Sequence, residues 1–255
     1  MKNRTIIHLI IYAVTGGIVF VTSCSIFRAR TLPTRNYYIM SYTPAVTVPV
    51  TSKRPYPYSL QVGNFDIQRI YSRQNVLYRY SLNQIQYYEL ERWAVRPDYM
   101  ITNLVFKHLA AAGLTNRIGT DFFDSRPDFR IEGMIEALEK FDAGDLFYAH
   151  LAMTMKMLRV DDGAQIWEYS FNERKQVYQP EMVYTVQKMS EIFQTQMGVV
   201  VSQLDSLFLL IDSGVPLDQK GIFPLPGVTV KADSTVSRID ESGFEIIPEK
   251  RKKDQ

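Results

Sequence analysis

Between residues 129 and 171 three segments alternate apolar and polar side chains, and each is joined to the next by a short connection. In the first, Phe129, Ile131, Gly133, Ile135 and Ala137 alternate with Arg130, Glu132 and Glu136. In the second, Leu151, Met153, Met155 and Met157 alternate with His150, Thr154 and Lys156. Asp161-Asp162-Gly163 then turns the chain into Gln165, Trp167, Tyr169 and Phe171. A period of two is that of a strand with one buried face, and connections this short do not allow parallel crossovers. The segments therefore predict an antiparallel meander. A methionine ladder would also suit an adaptable lipid-contacting groove, but an every-other-residue apolar run reads first as core.

Two segments carry the other period. Pro97 and Asp98 open a helix, because proline forfeits no needed donor at the first position and an acid faces the positive end of the helix dipole. Ile101, Leu104, Val105, His108, Leu109 and Ala112 follow at spacings of three and four, and Gly113 can close the helix in the left-handed region. Pro180 and Glu181 start a longer helix whose apolar stripe is Met182, Val186, Met189, Phe193, Met197, Val200, Leu204, Leu207 and Ile211. Upstream, Tyr56, Tyr58, Leu60 and Val62 predict a strand. Val76, Tyr78 and Tyr80, then Ile85 and Tyr87, predict a hairpin turning at Ser81-Leu82-Asn83. With 16 tyrosines and 14 phenylalanines the chain is rich in strand-favouring aromatics. The expected fold class is α+β: a mainly antiparallel sheet with two helices packed on one face.

The flanks differ from this core. Met1, Lys2, Asn3 and Arg4 precede an apolar run from Ile6 to Val21, the order of a secretory signal. That run alone approaches the length of a membrane-spanning helix. Val21-Thr22-Ser23-Cys24 decides for a bacterial lipobox, in which small residues admit the peptidase and the cysteine is acylated. Cys24 is the only cysteine, so acylation also accounts for a thiol without a disulfide partner. The alternative is an uncleaved anchor helix with a buried thiol. Ser25 follows the cysteine where an aspartate would favour inner-membrane retention, so the expected site is a lipid anchor facing the periplasm, on the outer rather than the inner membrane. The expected parts are residues 1–23 as signal peptide, 24–56 as acylated N-terminus, tether and early strand (Asn36 to Tyr42), 57–211 as the α+β domain, and 212–255 as a mostly disordered tail. The proline-rich composition of the tether and the fading periodicity of the tail carry the outer boundaries.

The full chain carries 29 basic and 27 acidic residues, and removing the leader takes away Lys2 and Arg4 but no acid. A formally neutral mature chain lacks the basic face a nucleic-acid partner requires. The four cations Lys250-Arg251-Lys252-Lys253 read as a solvated terminus rather than a lipid-binding patch.

Catalytic motifs are scarce. His108, in an apolar helical stripe, reads as a hydrogen-bonded core or boundary histidine. His150, on the strand face of Thr154 and Lys156, is expected to be exposed. The pairs Glu132 with Glu136 and Glu89 with Glu91 have the spacing of solvated acids on a sheet face. No cysteine pair, HExxH, acidic calcium loop, GxGxxG or Walker-type loop occurs, so neither a metal nor a cofactor is expected. Asp161-Asp162-Gly163 is explained by one turn.

Val76-Leu77-Tyr78-Arg79, Ile85 and Tyr87, then Glu91-Arg92-Trp93-Ala94 and the helix to Ala112 resemble the ABC-type transport auxiliary lipoprotein family. The resemblance spans roughly residues 36 to 211 and includes Tyr37-Tyr38-Ile39-Met40. The chain departs from the family at Val95-Arg96-Pro97, where an acid before the proline is commoner, and in its long tail. The resemblance implies a non-catalytic lipoprotein accompanying an MCE-domain protein and its ABC transporter in phospholipid transport between membranes, with self-association into a ring allowed. A generic periplasmic scaffold lipoprotein without lipid cargo is the alternative. Tyr78, Arg79, Arg92 and Trp93 are the expected partner-contacting residues, since aromatic and arginine side chains dominate hot spots. For Trp93 a core-plugging role competes and leads.

Overall fold

In the computed structural model, which describes residues 33–44, 55–142, 144 and 146–214, the elements follow in chain order. The strands are β1 (Asn36–Tyr38), β2 (Tyr56–Ile67), β3 (Asn75–Ser81), β4 (Gln84–Trp93), β5 (Thr115–Gly119), β6 (Phe129–Asp142), β7 (Phe147–Arg159) and β8 (Gln165–Val177). The helices are α1 (Pro97–Ala112), between β4 and β5, and α2 (Met182–Asp212), after β8. Residues 1–32, with the expected signal peptide and Cys24, residues 45–54, 143 and 145, and residues 215–255, with the expected tail, lie outside the described residues.

β6 organises the sheet. Along one side it pairs antiparallel with β7 over its whole length, from Phe129 opposite Arg159 to Asp142 opposite Phe147. β8 continues the predicted meander beyond β7. The other side of β6 is shared. Its first half pairs parallel with β2, Leu60 to Phe129 through Ile67 to Ile135. Its second half pairs parallel with β3, Leu77 to Glu139 through Arg79 to Phe141. β5 then extends the sheet beyond β2, while β4 and the edge strand β1 extend it beyond β3. The long ladders are antiparallel, as expected. The parallel pairings and the strand β5 were not expected, because they join segments far apart in the chain and leave no local turn signature.

Both helices pack on one face. Leu151, Met153, Met155 and Met157 of β7 are wholly buried, in one core with Met189, Phe193, Met197, Val200 and Leu204 of α2. The methionine ladder is therefore core, and each such side chain contributes about 1.5–3 kcal/mol on burial. Trp167 donates from Nε1 to Gln203 Oε1 of α2 at 3.0 Å. α1 begins with Pro97 in its first turn and ends at Gly113, whose φ of 59° is left-handed and whose N–H donates to the Ala110 carbonyl.

A bulge interrupts β6 near its middle. Ile135 lies opposite Met153, but Ala137 lies opposite Ala152, leaving Glu136 as the extra residue. Alternation flips there. Beyond the bulge, Glu139 and Phe141 take the face away from the helices, and Lys140 takes the helix face. Lys140 is buried, its Nζ donating to the Pro180 carbonyl at 2.6 Å before α2.

Candidate functional site

The β3–β4 hairpin brings Tyr78, Arg79, Arg92 and Trp93 into one sheet region, but strand alternation sends them to different faces. Trp93 is 2 % exposed and plugs the core beside its register partner Tyr38. Tyr78, paired with Lys140, lies on the helix side, beyond the start of α2. Its ring is 4.3 Å from Tyr88 and 5.0 Å from Tyr80, and its hydroxyl donates to Gln86 Oε1 at 2.5 Å. Together these rings form a half-exposed tyrosine ladder. Burial, then the nearby Asp142 carboxylate, pushes the Tyr88 hydroxyl up to about 12, so this hydroxyl is neutral at physiological pH.

Arg92 is half-buried, registered with Tyr37 of the edge strand and with Asn75 of β3. Its Nε has no hydrogen-bond partner among the described residues. Tyr37 and Ile39 stand exposed at that edge, at 59 % and 54 %. Beyond the corner, Arg96 holds Asp98 through two hydrogen bonds, at 3.2 and 2.6 Å, and lies over the Tyr99 ring.

Arg79 points to the opposite face, into a polar cluster under the sheet. Its Nε donates to Glu139 Oε1 at 2.8 Å, Tyr71 donates to Glu139 Oε2 at 2.7 Å, and His150 Nδ1 is 3.0 Å from Glu139 Oε1. His150 Nε2 is bonded to Asn172 Oδ1 at 2.8 Å. Burial alone would raise the Glu139 carboxyl. Hydrogen bonds from His150, Arg79 and Tyr71 outweigh it and hold the carboxyl at about 2. The Tyr71 hydroxyl is pushed far above its ordinary value by burial first and by Glu139 second.

The expectation that His150 is exposed is thus corrected: it is 6 % exposed. It does share a face with Thr154 and Lys156, as alternation implied. The bulge, however, brings Glu139 opposite it, and the turn carrying Tyr71 covers that part of the face. A legible signal for the cluster existed in Ala137-Leu138-Glu139-Lys140, where two apolar residues followed by two charged ones break the period of two. A carboxylate beside a histidine resembles part of a catalytic triad. Here both ring nitrogens are occupied, by Glu139 and by Asn172, so no nucleophile is bonded to the imidazole. The geometry suits fastening β3, β6, β7 and β8 together.

His108 is 4 % exposed, with Nδ1 2.8 Å from the Tyr42 hydroxyl, a boundary histidine in keeping with its place in the helical stripe. An open cavity of about 250 Å³ lies on the face away from the helices, lined by Asn64, Asp66, Glu132, Met134, Thr154 and Lys156. Lys156 and Glu132 neutralise each other across it at 3.2 Å. Among the described residues, no group of three or more His, Asp or Glu is placed to hold a metal, and no helix is long and apolar enough to cross a membrane.

Among solved structures, a protein of Xanthomonas campestris matches 70 % of this chain and 99 % of its own, at 17 % identity and a TM-score of 0.57. An uncharacterised protein matches 68 % of this chain and 99 % of its own, at 10 % identity and a TM-score of 0.53. At these identities the likeness is one of fold. No curated protein sequence matches the chain. The family model for the ABC-type transport auxiliary lipoprotein component matches residues 37–197, from the edge strand through the first half of α2. That span is more than half of the chain and carries the hairpin, the corner and the buried cluster alike, and the chain belongs to that family of auxiliary lipoproteins.

Proposed function

We propose that this lipoprotein is exported with residues 1–23 as its leader, is cut before Cys24, and is held by acyl chains on that cysteine, facing the periplasm from the outer membrane. Its folded domain docks on an MCE-type protein of an ABC transport system and supports phospholipid movement between membranes without catalysing a reaction. The observation that carries this reading is the family match across the folded domain, taken with the lipobox Val21-Thr22-Ser23-Cys24 ahead of it. Two acyl chains make anchoring stable where one is marginal. The transport energy belongs to the partner ATPase, since the chain carries no phosphate-binding loop. The docking surface is centred on Arg92 at the β1 edge, with Trp93 setting its strand from within, while Tyr78 offers a second contact on the opposite, helix-side face and Arg79 is held beneath the sheet. A half-buried guanidinium beside the exposed Tyr37 and Ile39 has the composition of a binding hot spot.

The test is in-cell photocrosslinking from residues 37 and 39, with mass analysis of the captured proteins. Capture of an MCE-domain protein, abolished by Arg92→Glu at unchanged abundance of the lipoprotein, is expected. Capture of envelope proteins with no transport component would favour the scaffold alternative.

A further inference from the structure

The strand register places several chain reversals at one end of the sheet. Arg79 pairs with Phe141, so the tip of the β3–β4 hairpin stands level with the β6–β7 connection. Phe147 pairs with Val177, so the chain leaves β8 at that same end. Each of these reversals carries an exposed apolar side chain. Leu82 is 57 % exposed, Leu146 44 % and Tyr178 81 %, and Tyr80 beside Leu82 is 42 % exposed. Val183, in the first turn of α2, adds another at 53 %. Turn positions ordinarily favour glycine, proline and small polar residues, because these satisfy turn geometry and water. An apolar and aromatic rim along adjacent strand ends instead matches a partly desolvated boundary.

The chain's own path says what that boundary is. β1 runs parallel to β4, Asn36 with Glu91 through Tyr38 with Trp93. β4 begins at the hairpin tip and runs away from it, so β1 also runs away from the rim, and its first residue, opposite Glu91, stands roughly 23 Å along β4 from the tip at about 3.3 Å per residue, within reach of a chain coming from the rim side. Only the residues between Cys24 and Asn36 separate the lipid-bearing cysteine from that entry point. At roughly 3.3 Å per residue they reach about 40 Å at most. One outward-facing cation stands near this end of the sheet, the exposed Arg174, whose guanidinium is 5.1 Å from the Phe141 ring centroid. Tyrosine with its hydroxyl in water and its ring in hydrocarbon is enriched at membrane interfaces.

We infer that this rim, centred on Tyr80, Leu82, Leu146 and Tyr178, rests on the surface of the bilayer that holds the protein's own acyl chains, orienting the domain with the Asp161–Gly163 turn pointing away. The inference rests on the anchoring of Cys24 proposed above and adds an orientation to it.

The experiment reconstitutes the acylated full chain in vesicles of phosphatidylethanolamine and phosphatidylglycerol. Variants with one added cysteine, Leu82→Cys, Tyr178→Cys and Asp161→Cys, carry an environment-sensitive fluorophore on that thiol beside the acylated Cys24, and lipids brominated near the headgroup serve as quenchers. Intact mass of each preparation reports acylation, and circular dichroism reports folding. Labels at 82 and 178 are expected to lose about half their emission, as side chains seated at the headgroup boundary do, with the label at 161 unaffected. Acylated protein whose rim labels are as unquenched as the label at 161 would overturn the inference while leaving the anchor intact. Equal quenching of all three would overturn the orientation as well. A mass without acyl chains would remove the anchor, and the inference with it.

Discussion

At the residue scale, Glu139 decides how the sheet depends on pH. A carboxylate 1 % exposed is tolerated because Arg79, His150 and Tyr71 surround it, and its folded-state value of about 2 lies below the ordinary 4.5. A depressed carboxyl contributes stability that is fully present above the unfolded value and is lost as pH falls through the folded one. The window is therefore from about 4.5 down to about 2, and the contribution above it is on the order of 3 kcal/mol. Urea midpoints measured from pH 6 to pH 2.5 should fall steeply in the wild type and less in Glu139→Gln, which has no charge to lose. Equal slopes in the two proteins would show that other carboxyls carry the acid sensitivity. Arg79→Met should cost about 3 kcal/mol at pH 7, because it leaves the buried carboxylate short of its fixed cation. None of this was legible from Arg79 alone. A Tyr-Arg pair in a strand reads equally well as a contact surface, and only the long-range register with Glu139 shows that the guanidinium is occupied.

At the scale of single elements, periodicity was informative wherever the ladder was regular. The methionines of β7, the stripe of α2 and the left-handed stop of α1 at Gly113 all followed from spacing and from what glycine permits. It failed at β6, where one extra residue reverses the faces halfway along, and a bulge has no composition of its own. Gly133 shows how closely this strand is packed. A Cβ built there would lie 2.2 Å from the Thr154 carbonyl oxygen and 2.7 Å from the Phe65 ring. The carbonyl belongs to the β7 backbone, which is tied to both neighbouring strands, so it cannot yield cheaply. Gly133→Ala is expected to lower stability by about 2–3 kcal/mol. Gly198 sits in α2 with nothing within 4 Å of a built Cβ, so Gly198→Ala should raise stability by about 0.5–1 kcal/mol through the backbone entropy it removes. Urea unfolding of the two variants tests both signs. A neutral Gly133→Ala would mean that β7 shifts to accommodate the methyl group.

At the scale of the whole molecule, β6 holds two wings of the sheet that scarcely pair with one another. β3, β4 and β1 hang from its second half, β2 and β5 from its first, and β7 and β8 brace the opposite side. The short reversals made the β7–β8 side readable, whereas the parallel joints of the other side unite segments separated by α1 and whole strands, which no local pattern encodes. Such a sheet could open in two steps if the wings were independent. The buried cluster argues against that, because Arg79 of β3 and His150 of β7 meet on Glu139 of β6, and Tyr71 joins them from the β2–β3 connection. The chain's two tryptophans report on opposite flanks, Trp93 in β4 and Trp167 in β8. With Trp167→Phe or Trp93→Phe leaving one reporter each, urea transitions followed by fluorescence and by circular dichroism should coincide in midpoint and slope. In Glu139→Leu, which removes the fastener and leaves Arg79 without its carboxylate, the Trp93 transition should move to lower urea than the Trp167 transition. Midpoints that still coincide in that variant would place the coupling in the β6 backbone ladder rather than in the polar cluster. The β3–β4–β1 wing, with Arg92 and Tyr78 on it, would then keep its place on the sheet without the buried charges beneath it.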